Sequence, residues 1–224
     1  MEEYRYVSRE TAQPVQGEQA ARVLRNTWML LGWSLAFSAA MGGVAMASGV
    51  AMINPWLVLG VYFGLLFANA KLQNSSWGVL TVFGITGWLG FTTGPIISLY
   101  ASVPGGMEIV TTALGATAVV FIAMSAVALF SKRDFSFMGN FLLVGVLVAF
   151  LGGIGALLFQ ISMLALVVST MFVFLSSLLI LWQTSRIVHG GETNYIAATV
   201  LLFVSIYNLF MSLLHLLTAL SGDD

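Results

Sequence analysis

Long apolar runs separated by short polar segments make up most of the chain after residue 26. A helix rises 1.5 Å per residue, so about 20 apolar residues are needed to cross roughly 30 Å of hydrocarbon. Five runs of about that length can be read directly: Thr27–Ala47, Ile53–Ala70, Trp77–Tyr100, Ile109–Phe130 and Tyr195–Leu220. Each run predicts one membrane-spanning helix.

A sixth apolar segment is too long for one crossing. The 51 residues between Asp134 and Arg186 carry no charge, and as a single helix they would be about 75 Å long. The most polar break at a suitable depth is "FQIS", Phe159–Ser162. A turn there leaves spans at Phe137–Leu158 and Met163–Trp182, so the pattern predicts seven spans.

Composition supports the membrane class. Hydrophobic residues make up 59% of the 224 positions and charged residues only 8%, whereas soluble domains carry about 25% charged residues. The sequence therefore predicts an all-α membrane protein embedded in a lipid bilayer, with residues 27–220 forming a bundle of seven transmembrane helices.

The positions of lysine and arginine predict the orientation of the bundle. If the N-terminus is cytoplasmic, every basic residue other than histidine falls on the cytoplasmic side. The charged residues on the opposite side are then all acids, which is the positive-inside pattern. The C-terminus is then periplasmic. Residues 1–26 are predicted to be a flexible cytoplasmic tail, with a helix favoured near "GEQAARVLRN", and residues 221–224 a short periplasmic tail.

Small polar residues form regular stripes in the last two spans. Positions 3, 4 and 3 apart lie on one helical face in span seven, and a seven-residue repeat marks a helix-pairing seam in and beside span six. The stripe of span seven is Ser205, Asn208, Ser212 and His215, and that of span six is Ser162, Ser169, Ser176 and Gln183. They predict either close packing with hydrogen bonds between the two helices or a hydrated cavity for an ion or ligand. Because none of the nine acids lies within a span, a pump or channel built on buried carboxylates is disfavoured.

Glycine pairs predict close helix packing in spans two and three. Gly60–Gly64 and Gly90–Gly94 both fit the GxxxG pattern, which allows two helix backbones to approach.

Proline in span three predicts a kink. Pro95 has no N–H to donate, and Thr92 and Thr93 could satisfy the carbonyl that it leaves free. Gly94 and Pro95 are therefore a candidate hinge.

The polar turn between spans six and seven has a capping signature. Gly190 and Gly191 allow the chain to reverse, and Thr193 or Asn194 can cap span seven. His189 and Glu192 are interpreted as solvated loop residues, because two ligands from one short loop are too few for a zinc site.

No catalytic motif is present. The chain lacks GxSxG, HExxH and GxxxxGK patterns and contains no cysteine. A Ser/His pair would require the fold to bring distant residues together. The sequence predicts a protein that is not an enzyme and that uses no cofactor, no metal site and no nucleic acid.

Several longer segments resemble a known family. The strings "GPIISLY", "SFMGNFLL" and "YIAATVLLFVSIYNLF" resemble the Bax inhibitor-1 family of seven-span proteins, over nearly the whole chain after the tail. Within it, "VLRNTWMLLGWSLAFSA", "HGGETNYIAATV" and "VSIYNLFMSLL" are most similar to bacterial inner-membrane members that modulate the FtsH protease. The resemblance implies that span seven is central and wrapped by the other six, and that FtsH is the partner.

The resemblance also implies two possible functions. Calcium-leak members of the family carry an aspartate just after span six and another within span seven, where this chain has Gln183 and Ser205. Neither residue can ionise, although Gln183 could still hydrogen-bond to Ser205. The preferred prediction is a non-enzymatic modulator that binds and restrains FtsH through the arginines of its tail, Arg5, Arg9, Arg22 and Arg25. The alternative is a pH-sensitive calcium or cation leak, in which calcium and protons are the ligands.

Overall fold

The computed structural model describes residues 12–131 and 133–222. In these ranges the chain forms seven long helices, one short 3₁₀ turn at Ser136–Met138 and no strand. The helices are α1 Ala12–Ala47, α2 Pro55–Leu72, α3 Gly78–Ala101, α4 Gly106–Phe130, α5 Gly139–Phe159, α6 Ser162–Val188 and α7 Tyr195–Ser221. All seven are long and apolar enough to cross a membrane. The predicted all-α class and the count of seven spans are confirmed.

The turn that divides the long uncharged segment lies where the sequence predicts it. Helix α5 ends at Phe159 and α6 begins at Ser162. Gln160 takes a left-handed conformation with φ 54°, and the backbone N–H of Ile161 donates to Ala156 O at 3.2 Å. The polar break therefore closes α5 in the manner of a left-handed C-terminal cap.

Two helices extend further than the apolar pattern predicts. The helix favoured near residues 17–26 is present, and α1 begins earlier, at Ala12, so residues 12–26 of the predicted tail are helical. Residues 1–11 lie outside the described ranges. Helix α6 continues past Trp182 to Val188, which places Gln183 inside the helix and not after it. Both extensions lie beyond the hydrocarbon length, where hydropathy no longer marks a helix.

The loops predicted to be cytoplasmic meet at one end of the bundle. The Asn194 side chain donates to Gln73 O at 3.2 Å and to Asn74 Oδ1 at 2.8 Å, which joins the α6–α7 loop to the α2–α3 loop. The backbone N–H of Phe135 donates to Ser185 Oγ at 3.0 Å, which joins the α4–α5 loop to α6. We call this the basic end, and the opposite end the outer end. That the basic end faces the cytoplasm stays a prediction.

Helix α7 is central, and half of its span is buried. Its extensive contacts are with α1, α3, α4 and α6, whereas α2 packs mainly on α3 and α5 mainly on α6. The central position implied by the resemblance is confirmed, and the direct packing on α7 comes mainly from four of the other six helices. Helix α3, with 56% of its span buried, is as deep in the bundle as α7.

Only one of the two GxxxG pairs packs closely. A Cβ on Gly90 would collide with the carbonyl of Ser38, and one on Gly94 would lie 2.6 Å from Gly42 O, so α1 and α3 touch along this edge. A Cβ on Gly60 or Gly64 would meet nothing within 4 Å. The packing prediction is confirmed for the pair in α3 and wrong for the pair in α2.

Pro95 lies within α3 without ending the helix. The carbonyl that a proline at this position leaves free is that of Phe91, four residues earlier. Thr92 and Thr93 instead donate to Leu89 O, at 3.0 and 2.8 Å. The prediction that these threonines satisfy the freed carbonyl is therefore wrong. The hinge at Gly94 and Pro95 stays a prediction, and it falls where α3 is pressed against α1.

Candidate functional site

Buried polar side chains of three helices form the candidate site. Within α1 and within α6 they lie at positions seven apart or next to such positions, and none of the set is more than 1% exposed. We call this set the polar seam, and its members are Thr27 and Ser34 of α1, Ser176, Gln183 and Thr184 of α6, and Ser205 of α7. The stripes predicted from the sequence include Ser176, Gln183 and Ser205. They do not include Thr27 and Ser34, although these two residues are also seven positions apart.

An apolar layer closes the polar seam toward the basic end. Val23 of α1, Ile187 of α6 and Ala198 of α7 form one buried cluster. Thr27 follows Val23 by four residues and Gln183 precedes Ile187 by four, so each polar residue lies one turn deeper on the same helical face. The layer therefore separates the polar seam from the water at that end.

Several atoms of this region have no hydrogen-bond partner. They are Thr27 Oγ1, Ser34 Oγ, Ser125 Oγ of α4, Ser176 Oγ, Gln183 Oε1 and Thr184 Oγ1. A buried polar group left unpaired costs about 1–3 kcal/mol, which is why such groups are uncommon in folded proteins. The region therefore carries hydrogen-bonding capacity that the contacts between the helices leave unused.

Gln183 and Ser205, which the resemblance compares with aspartates of calcium-leak relatives, are not bonded to each other. Ser205 Oγ donates to Leu201 O of its own helix at 2.8 Å, while Gln183 Oε1 is unpaired. The predicted hydrogen bond between Gln183 and Ser205 is wrong. Because neither side chain can ionise, this part of the polar seam cannot change its charge with pH.

The stripe of α7 continues toward the outer end. Asn208 is half-buried and Ser212 is buried. His215 Nδ1 lies 2.8 Å from Ser169 Oγ, which is the one side-chain hydrogen bond between α6 and α7 in the described ranges. Direct bonding between these helices is thus confined to this pair.

The Ser169–His215 pair brings together the two residue types that the sequence left far apart. His215 is exposed on the bundle surface, and its hydrogen bonds within the described chain include no carboxylate. A hydrolytic triad needs a third group that orients the histidine and donors that stabilise an oxyanion. In the described chain this pair is a hydrogen bond that joins α6 to α7.

Asn194 fixes the start of α7. Its Oδ1 accepts from the backbone N–H groups of Ile196 and Ala197, at 2.9 and 3.2 Å, while Gly190 takes the left-handed φ of 75° that ends α6. Of the two caps considered, Asn194 is confirmed.

The neighbouring His189 and Glu192 differ from each other. His189 is exposed, and its Nδ1 lies 2.9 Å from Ser185 O. Glu192 is not simply solvated, because it lies 3.5 Å from Arg186 and accepts from the backbone N–H of Asn194 at 3.0 Å. The described residues contain no cluster of three or more metal-binding side chains.

The arginines assigned to the tail divide into two groups. Arg5 and Arg9 lie outside the described ranges. Arg22 and Arg25 are exposed on α1 at the basic end, and Arg22 lies 3.3 Å from Glu18 on the preceding turn. Both therefore lie on a helix.

Comparison with known proteins agrees with the fold. The family model described as inhibitor of apoptosis-promoting Bax1 matches residues 20–222. A protein of Escherichia coli K12 named "Modulator of FtsH protease YccA" is 45% identical over 206 residues, which cover 90% of this chain and 92% of the relative. An uncharacterized protein of Pseudomonas aeruginosa is 44% identical over 206 residues, with 92% and 93% covered.

The relatives also agree on location. A second E. coli relative, also 45% identical over 206 residues and with the same coverage, is named "Inner membrane protein YccA", and none of these three is named as an enzyme. With seven helices able to cross a membrane, the chain is a multi-pass protein of the bacterial inner membrane. Its sequence and its fold together make it a member of the Bax inhibitor-1 family.

Proposed function

We propose that this protein is a non-enzymatic modulator that binds the membrane-anchored, ATP-dependent protease FtsH and restrains its degradation of other membrane proteins. The observation that carries the proposal is the 45% identity to the E. coli modulator of FtsH over 90% of this chain and 92% of that relative. Similarity over nearly the full length of both chains includes the bundle and not just one motif.

The bundle has features that suit a protein able to engage a threading protease without being extracted. The glycines of α3 bring its backbone against α1, and the layer of Val23, Ile187 and Ala198 joins α1 to α6 and α7 at the basic end. Pulling on the N-terminus would have to separate these contacts first. Apolar burial and close backbone packing therefore oppose extraction.

The N-terminal segment is the proposed point of engagement. Residues 1–26 contain four arginines, and Arg22 and Arg25 project from α1 beyond the apolar span. Because residues 12–26 are helical, the contact we propose is with an ordered helical surface together with residues 1–11.

Deletion of residues 2–20 tests the proposal. The expected result is loss of co-purification with FtsH from inner membranes and a return of membrane-substrate degradation to its rate without this protein. Deletion of residues 221–224, at the other terminus, is the matched control and should change neither measurement. Association and inhibition that both survive the deletion of residues 2–20 would contradict the proposal.

We do not extend the proposal to ion leak. The polar seam holds neutral side chains, and an apolar layer closes it toward the basic end. Purified protein in calcium-loaded vesicles is therefore expected to show no flux across the range of about pH 5–8 in which histidines titrate. A flux that disappears in Gln183→Leu would favour the leak function instead.

A further inference from the structure

An apolar groove lies between α1 and α4 in the half of the bundle nearest the basic end. Its volume is about 390 Å³, within the range of roughly 300–1,000 Å³ that is common for small-molecule sites. We call it the α1–α4 groove; its walls include Trp28, Leu31 and Gly32 of α1 and Phe121, Ser125 and Phe130 of α4. Leu35 lines both this groove and a second cavity of about 310 Å³ further toward the outer end.

The groove opens sideways toward the bilayer. Ile122 is 64% exposed and Phe130 is 86% exposed on its rim. Both belong to a helix that is long and apolar enough to cross a membrane. Because the surrounding medium at that depth is hydrocarbon, an acyl chain is the material whose chemistry matches these walls.

Two arginines follow or precede residues at the mouth of the groove by three positions. Arg25 precedes Trp28 by three residues on α1, which places it one turn away on the same face, and Arg133 follows Phe130 by three residues in the α4–α5 loop. Both arginines are exposed. A guanidinium group suits phosphate because it can donate two parallel hydrogen bonds.

Ser125 belongs to the groove wall, but its hydroxyl is buried. The residue is 4% exposed, and its Oγ is one of the buried atoms that have no hydrogen-bond partner in the described chain. The groove thus combines an almost entirely apolar wall with two arginines near its mouth.

We propose that the α1–α4 groove binds one anionic phospholipid from the leaflet at the basic end. One acyl chain lies between α1 and α4, and the phosphate lies between Arg25 and Arg133. Basic pockets between transmembrane helices bind anionic headgroups in this way.

Native mass spectrometry of the full-length protein tests the proposal. The detergent-purified protein is titrated with phosphatidylglycerol and, separately, with phosphatidylcholine that carries the same acyl chains. Since each basic residue near an anionic lipid contributes modestly, two arginines should favour phosphatidylglycerol by about tenfold in affinity. Equal affinity for the two lipids would overturn the proposal.

Two variants separate the headgroup from the acyl chain. The double variant Arg25→Gln/Arg133→Gln should lose the preference for phosphatidylglycerol. Gly32→Phe should fill the groove and lower the affinity for both lipids. A Cβ on Gly32 meets nothing within 4 Å, so a side chain can begin at this position without a clash with the backbone.

Matched controls come from the same two helices. Arg22→Gln removes an exposed arginine of α1 that already pairs with Glu18, and Gly115→Phe adds a ring at an exposed position of α4 where a Cβ also meets nothing within 4 Å. Both should bind phosphatidylglycerol as the wild type does. If Gly32→Phe binds it unchanged while the arginine variant does not, the lipid adsorbs to surface charge and the groove assignment is wrong.

Discussion

Gln183 carries a neutral amide in the part of α6 that faces the interior of the bundle. It is 1% exposed, and its Oε1 accepts no hydrogen bond. A buried amide oxygen without a partner loses its hydration and gains nothing in return. We therefore expect this residue to lower the stability of the bundle.

Replacing that amide should stabilise the protein. Gln183→Met keeps the length of the side chain and removes the unpaired oxygen, so the free energy of unfolding should rise by about 1–2 kcal/mol. Thermal unfolding in detergent measures this change. Gln19→Met, at an exposed position of α1, should stay within about 0.5 kcal/mol of the wild type. A loss of stability in Gln183→Met would show that the amide is paired in solution.

For single residues, the sequence predicts the helical face of a polar side chain better than its hydrogen-bond partner. The three- and four-residue spacing places Ser205 correctly in the buried interior. Its hydroxyl bonds to Leu201 O of its own helix, because serine in a helix can reach the carbonyl four residues earlier. Only His215, with a longer side chain, bonds to a serine of α6. Spacing cannot distinguish these two outcomes, since both use the same face.

Among the helices, the contact between α1 and α3 depends on the absence of side chains. The α3 residues Gly90 and Gly94 face the backbone of α1 at Ser38 and Gly42. Two backbones that approach this closely gain dispersion contacts which larger residues would prevent.

One added methyl group should distinguish the two GxxxG pairs. Gly90→Ala should lower the free energy of unfolding by about 1–3 kcal/mol, because the new Cβ overlaps backbone atoms of Ser38 that cannot rotate away. Gly60→Ala meets open space and should be neutral or stabilising by up to about 1 kcal/mol, since alanine favours a helix. Chemical unfolding of both variants in mixed micelles measures the difference. Equal effects would show that the α1–α3 contact is looser than described.

Element boundaries were predictable where the bilayer sets them. The thickness of the hydrocarbon fixes a span of about 20 residues, so the turn at Phe159–Ser162 is found correctly. The start of α1 at Ala12 is not found from hydropathy, because the part of a helix that continues into water has no run of apolar residues. The two GxxxG pairs cannot be distinguished from the sequence, because the motif does not show whether another helix packs against it.

In the whole molecule, the described arginines and Lys71 gather at one end because successive helices alternate in direction. The chain has no cysteine, so single cysteines can report the orientation. Val103→Cys, exposed in the α3–α4 loop, should react with a membrane-impermeant thiol reagent added to spheroplasts. Ser76→Cys, exposed in the α2–α3 loop, should react only after permeabilisation. The reverse pattern would place the N-terminus in the periplasm.

The sequence predicts that α7 is central but does not predict which helices pack against it. Its polar stripe and the family resemblance both predict a central helix, and α7 is central. Which helices touch it depends on pairwise side-chain fit, for which a hydropathy pattern carries no information. Helix α3 is equally buried, and its glycines, not its polarity, account for that depth.

The unbroken course of α1 has a mechanical consequence. From Ala12 to its contact with α3 at Gly42 the helix covers 30 residues, or about 45 Å. A rod of that length, pivoting by only about 5° at the glycine contact, displaces its far tip by about 4 Å. A partner bound at the N-terminal end of α1 could therefore rotate the helix with a small force. Thr27 of the polar seam lies between that end and the contact at Gly42.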